Sequence, residues 1–155
     1  MIPLQRLTHV GLCVADLERS MAFYRDRLGF TFEHELHVEG EPSDTLLRLR
    51  GVVLDAVYLT RDGVRLELLH FASPPAPPAR ERTMHERGLT HLSFRTADLD
   101  ATLEALRAAG DRILDDTIIR FPEFGAAAAF ILDPDGQLIE LVQSPGDPAA
   151  PPRSD

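Results

Sequence analysis

The apolar positions of this chain fall into short strand-like runs and into two longer helix-like segments, the second of which carries Leu99, Leu103 and Leu106 on one helical face. In both longer segments an aspartate is placed to cap a helix and a glycine is suited to close it, which predicts helices over 16–28 and 98–110. The runs that predict strands are 7–15, 31–38, 46–49, 53–60 and 64–71 in the first half, and 112–120, 126–133 and 138–143 in the second.

The same pattern occurs twice along the chain. THVGLCVADLERSMAFYR at 8–25 reappears as THLSFRTADLDATLEALR at 90–107, and DGVRLELL at 62–69 matches DGQLIELV at 135–142 without a gap. A repeat of this length predicts two units with the same order of elements.

The domain boundaries follow from the repeat and from the proline-rich segment SPPAPPA at 73–79. Such a segment cannot form a central strand and is expected to separate the halves as a stiff linker. We therefore predict a single domain over 1–145, made of module one at 4–72, a linker at 73–87 and module two at 88–145, with a disordered tail at 146–155.

The repeats pair His9 with His91 and Glu67 with Glu140. Each glutamate lies inside an aliphatic run, where a lone carboxylate is costly to desolvate. Strand alternation turns both glutamates and both histidines away from their apolar neighbours, so all four polar groups can share one sheet surface. Two imidazoles and two carboxylates at one centre would form a divalent-metal site. The alternative is a set of structural histidines, with each glutamate paired to a histidine or a nearby arginine.

Composition narrows the classes of partner. The formal charge is −9, whereas nucleic acids and anionic membranes recruit proteins through an excess of Lys and Arg, so we expect a small-molecule substrate and neither of those partners. Cys13 is the only cysteine, and neither a secretory signal nor an apolar stretch long enough to span a bilayer is visible. These features predict a cytoplasmic protein.

The residues over 7–143 resemble the vicinal oxygen chelate superfamily, which includes glyoxalase I, methylmalonyl-CoA epimerase, extradiol dioxygenases and bleomycin-resistance proteins. The likeness lies in the opening THVGLCVADLERSMAFYRDRLGF, the closing DPDGQLIELVQ and the duplicated unit. The resemblance implies an α+β fold, in which two βαβββ modules form a cupped mixed β-sheet with the helices outside. It also implies one divalent metal ion (Zn, Ni, Co, Fe or Mn) held by His9, Glu67, His91 and Glu140.

The resemblance further implies proton transfer next to a carbonyl, by an isomerase, an epimerase or a glyoxalase I-type lyase, with Glu140 and Glu67 as the acid and base groups. Methylmalonyl-CoA epimerases usually carry glutamine at the position of Glu67, so this residue favours the glyoxalase type. An extradiol-type dioxygenase and a metal-free protein that binds antibiotics or other small molecules are the alternatives. A homodimer is expected in each case.

Overall fold

The computed structural model describes residues 2–80 and 82–150. Its contacts divide the chain into two units, with the boundary after Pro78, inside the predicted linker 73–87. Each unit contains its own four-stranded mixed sheet.

The first unit has a sheet with the strand order β1-β4-β3-β2, in which β1 runs parallel to β4 and the other neighbours are antiparallel. Leu59, Leu66 and Leu68 are fully buried on one face of this sheet, and α1 contacts β4. The elements are β1 (Val10–Cys13), α1 (Leu17–Met21), a π-helical segment (Ala22–Arg27), β2 (Thr31–Glu39), α2 (Glu41–Leu47), β3 (Val53–Arg61) and β4 (Val64–Ser73).

The first predicted helix begins where expected but changes its geometry. The carboxylate of Asp16 accepts a hydrogen bond from the Arg19 backbone N–H at 2.9 Å, which confirms the predicted cap. From Ala22 onward the segment is π-helical, and the Leu28 N–H donates to the Phe23 carbonyl at 3.0 Å. The wider turn lets Phe23 and its neighbour Tyr24 both lie in the core, although they are consecutive in sequence.

The predicted strand at 46–49 is wrong, because the chain there ends the helix α2 (Glu41–Leu47). Pro42 lies in the first turn of this helix, where a missing N–H costs nothing. The carboxylate of Asp44 accepts the Val52 backbone N–H at 2.7 Å and so fixes the return into β3. The run of apolar residues is not a buried strand, since Leu46 is 81% exposed.

The second unit repeats the arrangement with the strand order β5-β8-β7-β6, and β5 is parallel to β8. Asp98 caps the helix through the Ala101 N–H at 3.0 Å, as predicted. Leu99 and Leu103 of the helix and Ile139 of the sheet are buried. The elements are β5 (His91–Arg95), α3 (Leu99–Ala108), β6 (Arg112–Phe121), a 3₁₀ turn (Pro122–Phe124), β7 (Ala126–Leu132) and β8 (Leu138–Gln143).

Both units thus contain the strand, helix and three strands of a βαβββ module, which confirms the predicted α+β class; unit one adds α2. Of the predicted tail 146–155, residues 151–155 lie outside the described part. In the segment before them, the Ala150 carbonyl accepts a hydrogen bond from Arg95 at 3.4 Å, and Asp147 accepts one from the Ala149 N–H at 2.9 Å. Among the residues described, no helix combines the length and apolar character needed to cross a bilayer.

Candidate metal centre

The two faces of each sheet differ in the way that strand alternation predicts. Leu66 and Leu68 are fully buried on the core face of β4, whereas the side chain of Glu67 between them is 15% exposed on the other face. Ile139 is likewise buried in β8, and the Glu140 side chain is 28% exposed. We call the face that carries the glutamate the site face of each sheet.

In unit one, the parallel register of β1 and β4 brings His9 to Glu67. The register pairs Gly11 with Glu67, and His9 lies two residues earlier, hence on the same side of the sheet. The structure starts β1 at Val10 rather than at residue 7, so His9 immediately precedes the strand. His9 Nε2 lies 3.1 Å from Glu67 Oε2.

Unit two builds the corresponding pair in the same way. Ser93 of β5 lies opposite Glu140 of β8, and His91 lies two residues before Ser93. His91 Nε2 is 3.6 Å from Glu140 Oε2, with side-chain exposures of 31% and 28%. Each unit by itself supplies one His–Glu pair. Over residues 2–80 and 82–150, the structure contains no group of three or more His, Cys, Asp or Glu side chains that could hold a metal ion.

The arginines that could have neutralised these glutamates have other partners. Arg65 forms a bidentate ion pair with Glu33, with both N–O distances at 2.6 Å. Arg95 binds main-chain carbonyls near the end of the described chain. Of the alternatives raised by the sequence, only the pairing of each glutamate with its histidine matches the observed contacts.

Both histidines are oriented by the threonine that precedes them. Thr8 Oγ1 is 3.0 Å from His9 Nδ1, and Thr90 Oγ1 is 2.9 Å from His91 Nδ1. The hydroxyl therefore occupies one ring nitrogen, and the other ring nitrogen, Nε2, faces the glutamate. Because a hydrogen bond at one ring nitrogen sets the role of the other, this arrangement presents Nε2 to the site in both units.

Each glutamate also receives a hydroxyl, but the donor differs between the units. Tyr58 lies opposite Glu67 on β3, and its hydroxyl donates to Glu67 Oε1. Burial, together with this bond to the carboxylate, raises the pKa of Tyr58 to about 12, so the phenol stays a neutral donor. In unit two the donor lies on the parallel neighbouring strand β5, where Ser93 Oγ donates to Glu140 Oε2 at 2.7 Å.

The register shows that the two donors have exchanged places. The position of Tyr58 is taken by Phe130 in unit two, and the position of Ser93 is taken by Gly11 in unit one. Each glutamate thus has a hydroxyl-bearing neighbour on one flank and none on the other. His34, which is exposed, stacks on Tyr58 with ring centroids 4.4 Å apart.

Several of these residues escaped the sequence prediction. The sequence alone indicated no role for Tyr58, Ser93, His34 or the two threonines. The threonines stand inside the repeated motif, so the motif itself carried a signal for them. Ser93 and Tyr58 become visible only once the strand register is known, because their partners are 47 and 9 residues away.

The donor set fits a divalent cation. Two atoms that bind one ion at about 2.0–2.2 Å are separated by roughly 3.0–3.5 Å. The Nε2–Oε2 distance of 3.1 Å in unit one lies in this range, and that of 3.6 Å in unit two lies just above it. In each unit by itself, the imidazole and the carboxylate are nitrogen and oxygen donors of the kind that such ions take.

Comparisons with known proteins agree on one family and one fold. The sequence profile of the Glyoxalase/Bleomycin resistance protein/Dioxygenase superfamily matches residues 6–141. An ethylmalonyl-CoA/methylmalonyl-CoA epimerase of Cereibacter sphaeroides is 30% identical, over 89% of this chain and 97% of that protein. A 2-epi-5-epi-valiolone epimerase of an Actinomyces species is 31% identical, over 88% of this chain and 78% of that protein. A glyoxalase family protein of Bacillus cereus has the same fold, with a TM-score of 0.79 and 24% identity over 94% and 97% of the two chains.

Proposed function

Because the chain belongs to the Glyoxalase/Bleomycin resistance protein/Dioxygenase superfamily, we propose that it is a divalent-metal-dependent enzyme that moves a proton at the carbon next to a carbonyl. The observation that carries this proposal is the His–Glu pair built twice at equivalent positions, His9 with Glu67 and His91 with Glu140. The proposed substrate is a small molecule with neighbouring oxygen atoms.

The four side chains are proposed to bind one ion of Zn, Ni, Co, Fe or Mn, through Nε2 of each histidine and a carboxylate oxygen of each glutamate. When bound, the ion supplies a Lewis acid beside the oxygens of the substrate. The chain provides the rest: partly exposed carboxylates that a substrate can reach, and imidazoles whose orientation is fixed by hydrogen bonds.

Glu67 and Glu140 are the proposed acid and base groups. An ionised carboxylate takes the proton from the carbon, and the electron pair of the broken C–H bond delocalises toward the carbonyl oxygen. Return of a proton to the opposite face of that carbon gives epimerisation. If the same carbon carries a hydroxyl group, transfer of the hydroxyl proton to the former carbonyl oxygen and return of the carbon proton to the neighbouring carbon give isomerisation. The relatives named as epimerases, at 30% and 31% identity, support epimerisation as the first reaction to test.

Metal analysis combined with solvent-deuterium exchange tests this function. We expect the purified protein to bind one divalent ion per chain, and His9→Ala or Glu140→Gln to abolish stoichiometric binding. His37→Ala is the matched control, because His37 is a 55% exposed histidine of the same unit that pairs with Asp55. Trial ketone and acyl-thioester substrates are then incubated in D₂O with the loaded enzyme, and deuterium is expected at the carbon beside the carbonyl.

Three outcomes would contradict the proposal. A wild-type protein that holds no ion but binds a drug-like ligand without turnover would be a sequestering protein. Iron-dependent oxygen uptake with catechols would show a dioxygenase. A loaded enzyme that gives no deuterium incorporation with any α-protic substrate would exclude the proton-transfer chemistry.

We also propose that the protein is a cytoplasmic homodimer. Light scattering after size exclusion would overturn this if it gave the mass of one chain. A mixed dimer of one His9→Ala chain and one His91→Ala chain shows whether a site is formed by residues of both subunits. It would keep one intact site if the His–Glu pairs combine across subunits. It would keep none if they combine within a chain.

A further inference from the structure

The threonine before each site histidine is held from two directions. Its hydroxyl contacts the ring nitrogen Nδ1, at 3.0 Å for Thr8 and 2.9 Å for Thr90. Its carbonyl accepts a hydrogen bond from the start of the strand that carries the glutamate: Arg65 donates to the Thr8 carbonyl at 3.3 Å, and Gln137 donates to the Thr90 carbonyl at 2.8 Å. The same clamp is therefore made in both units by side chains of different chemistry.

Arg65 is itself fixed, because its Nε and Nη2 donate to Glu33 of β2, while Nη1 donates to the Thr8 carbonyl. In unit two the Gln137 backbone N–H is bound by the buried carboxylate of Asp133 at 2.7 Å. Each clamp residue thus has a second contact, made by the side chain of Arg65 and by the backbone of Gln137. Two independent constructions of one arrangement indicate that the position of the threonine matters to the site.

From these contacts we propose that Thr8 and Thr90 are positioning residues that make Nε2 the metal-binding atom of His9 and His91 in both the empty and the loaded site. This inference rests on the proposed metal function. The reason lies in the hydroxyl group, which can either donate or accept a hydrogen bond. A carbonyl or carboxylate at the same place could only accept.

The two states of the site require opposite roles of Nδ1. Without metal, the Nε2 proton faces the glutamate oxygen, and Nδ1 accepts a hydrogen bond from the threonine hydroxyl. With Nε2 engaged by a cation, the ring proton resides on Nδ1, which must then donate. A threonine hydroxyl satisfies both states by rotating, so the ring keeps its orientation when the tautomer changes.

The test compares valine and serine variants of each threonine. Thr8→Val and Thr90→Val keep the branched shape and remove the hydroxyl, whereas Thr8→Ser and Thr90→Ser keep the hydroxyl. Thr45→Val is the matched control, because it also removes a threonine hydroxyl that makes a side-chain hydrogen bond, here the 3.0 Å bond to Glu41 within helix α2. The affinity for Zn²⁺ and Co²⁺ is measured by competition with a chelator.

We expect each site valine variant to lose about 10–100-fold in affinity, as is usual when an outer partner of a metal-binding histidine is removed. The serine variants and Thr45→Val are expected to stay within roughly threefold of the wild type, well inside that loss. In the Co²⁺ form, the ligand-field absorption should change with valine and be restored with serine. Valine variants that bind Co²⁺ like the wild type, with the same spectrum, would overturn the inference.

Nitrogen NMR of the metal-free histidines separates this inference from the proposed function. The Nδ1 resonance of His9 is expected to move toward that of a free imidazole nitrogen in Thr8→Val and to stay in place in Thr8→Ser. If the wild type binds no ion, the proposed function fails, and the NMR comparison alone decides whether the threonine positions the ring. Unchanged Nδ1 resonances in both valine variants would refute the positioning role.

Discussion

The hydrogen bond from Tyr58 to Glu67 allows a quantitative test of the site. Tyr58→Phe removes only the hydroxyl and gives unit one the residue that unit two has at Phe130. A hydrogen bond to a charged group contributes about 1.5–3 kcal/mol, and the higher part of this range applies where the acceptor is shielded from water. The Glu67 side chain is 15% exposed, whereas that of Glu140 is 28% exposed, so the bond in unit one should be the stronger of the two.

A double-mutant cycle isolates this bond. The free energy of unfolding in urea is measured, with a chelator present, for the wild type, Tyr58→Phe, Glu67→Ala and the double variant. We expect a coupling energy of about 1.5–3 kcal/mol. The matched cycle of Ser93→Ala with Glu140→Ala should give about 1 kcal/mol, because its carboxylate is better solvated. A coupling below about 0.5 kcal/mol in unit one, or the reverse ranking of the two cycles, would refute the argument.

Three further predictions concern stability and protonation. Leu66 is fully buried on β4, next to Glu67, so Leu66→Ala should lower the free energy of unfolding in urea by about 2–5 kcal/mol. A loss below about 1 kcal/mol would contradict this, because it would mean that the core closes around the cavity. Asp44→Ala should cost about 1–3 kcal/mol in the same assay, because it leaves the Val52 N–H without its 2.7 Å partner. The hydrogen bond that His37 donates to Asp55 raises the pKa of His37, so this pair stabilises the fold fully below the ordinary histidine pKa and loses its effect as the pH rises through the raised value. The midpoint of the His37 ring-proton NMR titration should shift to lower pH in Asp55→Asn, and an unchanged midpoint would contradict this.

Much of the fold could be predicted from the chain because local signals and the repeat agree. Aspartate caps at Asp16 and Asp98 and the alternation around Glu67 and Glu140 are short-range features, and the structure reproduces them. The strand prediction at 46–49 failed because a mostly apolar run of four residues is too short to distinguish a strand from the end of a helix. The helix it belongs to is determined by residues outside the run, such as Asp44.

The sequence predicted the histidines and glutamates of the candidate site, but it did not predict the hydroxyl donors Tyr58 and Ser93. His9 and His91 are marked by the repeat itself, so comparison of the halves found them. Tyr58 and Ser93 break the repeat, and their role depends on which residue lies opposite each glutamate across a strand boundary. Strand register is a long-range property, and periodicity within one segment does not determine it.

The exchanged hydroxyl donors have a consequence for the history of the duplication. Since a donor on either flank supports the carboxylate, the two halves could diverge by compensated steps in which one flank gained a hydroxyl before the other lost it. Unit one could accommodate the arrangement of unit two: a Cβ at Gly11 would lie 3.6 Å from Glu67 Oε2 and 3.3 Å from the end of the Leu69 side chain, which would have to shift by a few tenths of an ångström. A chain carrying Gly11→Ser together with Tyr58→Phe would therefore be a symmetrised protein, in which both halves hold their carboxylate in the manner of the second.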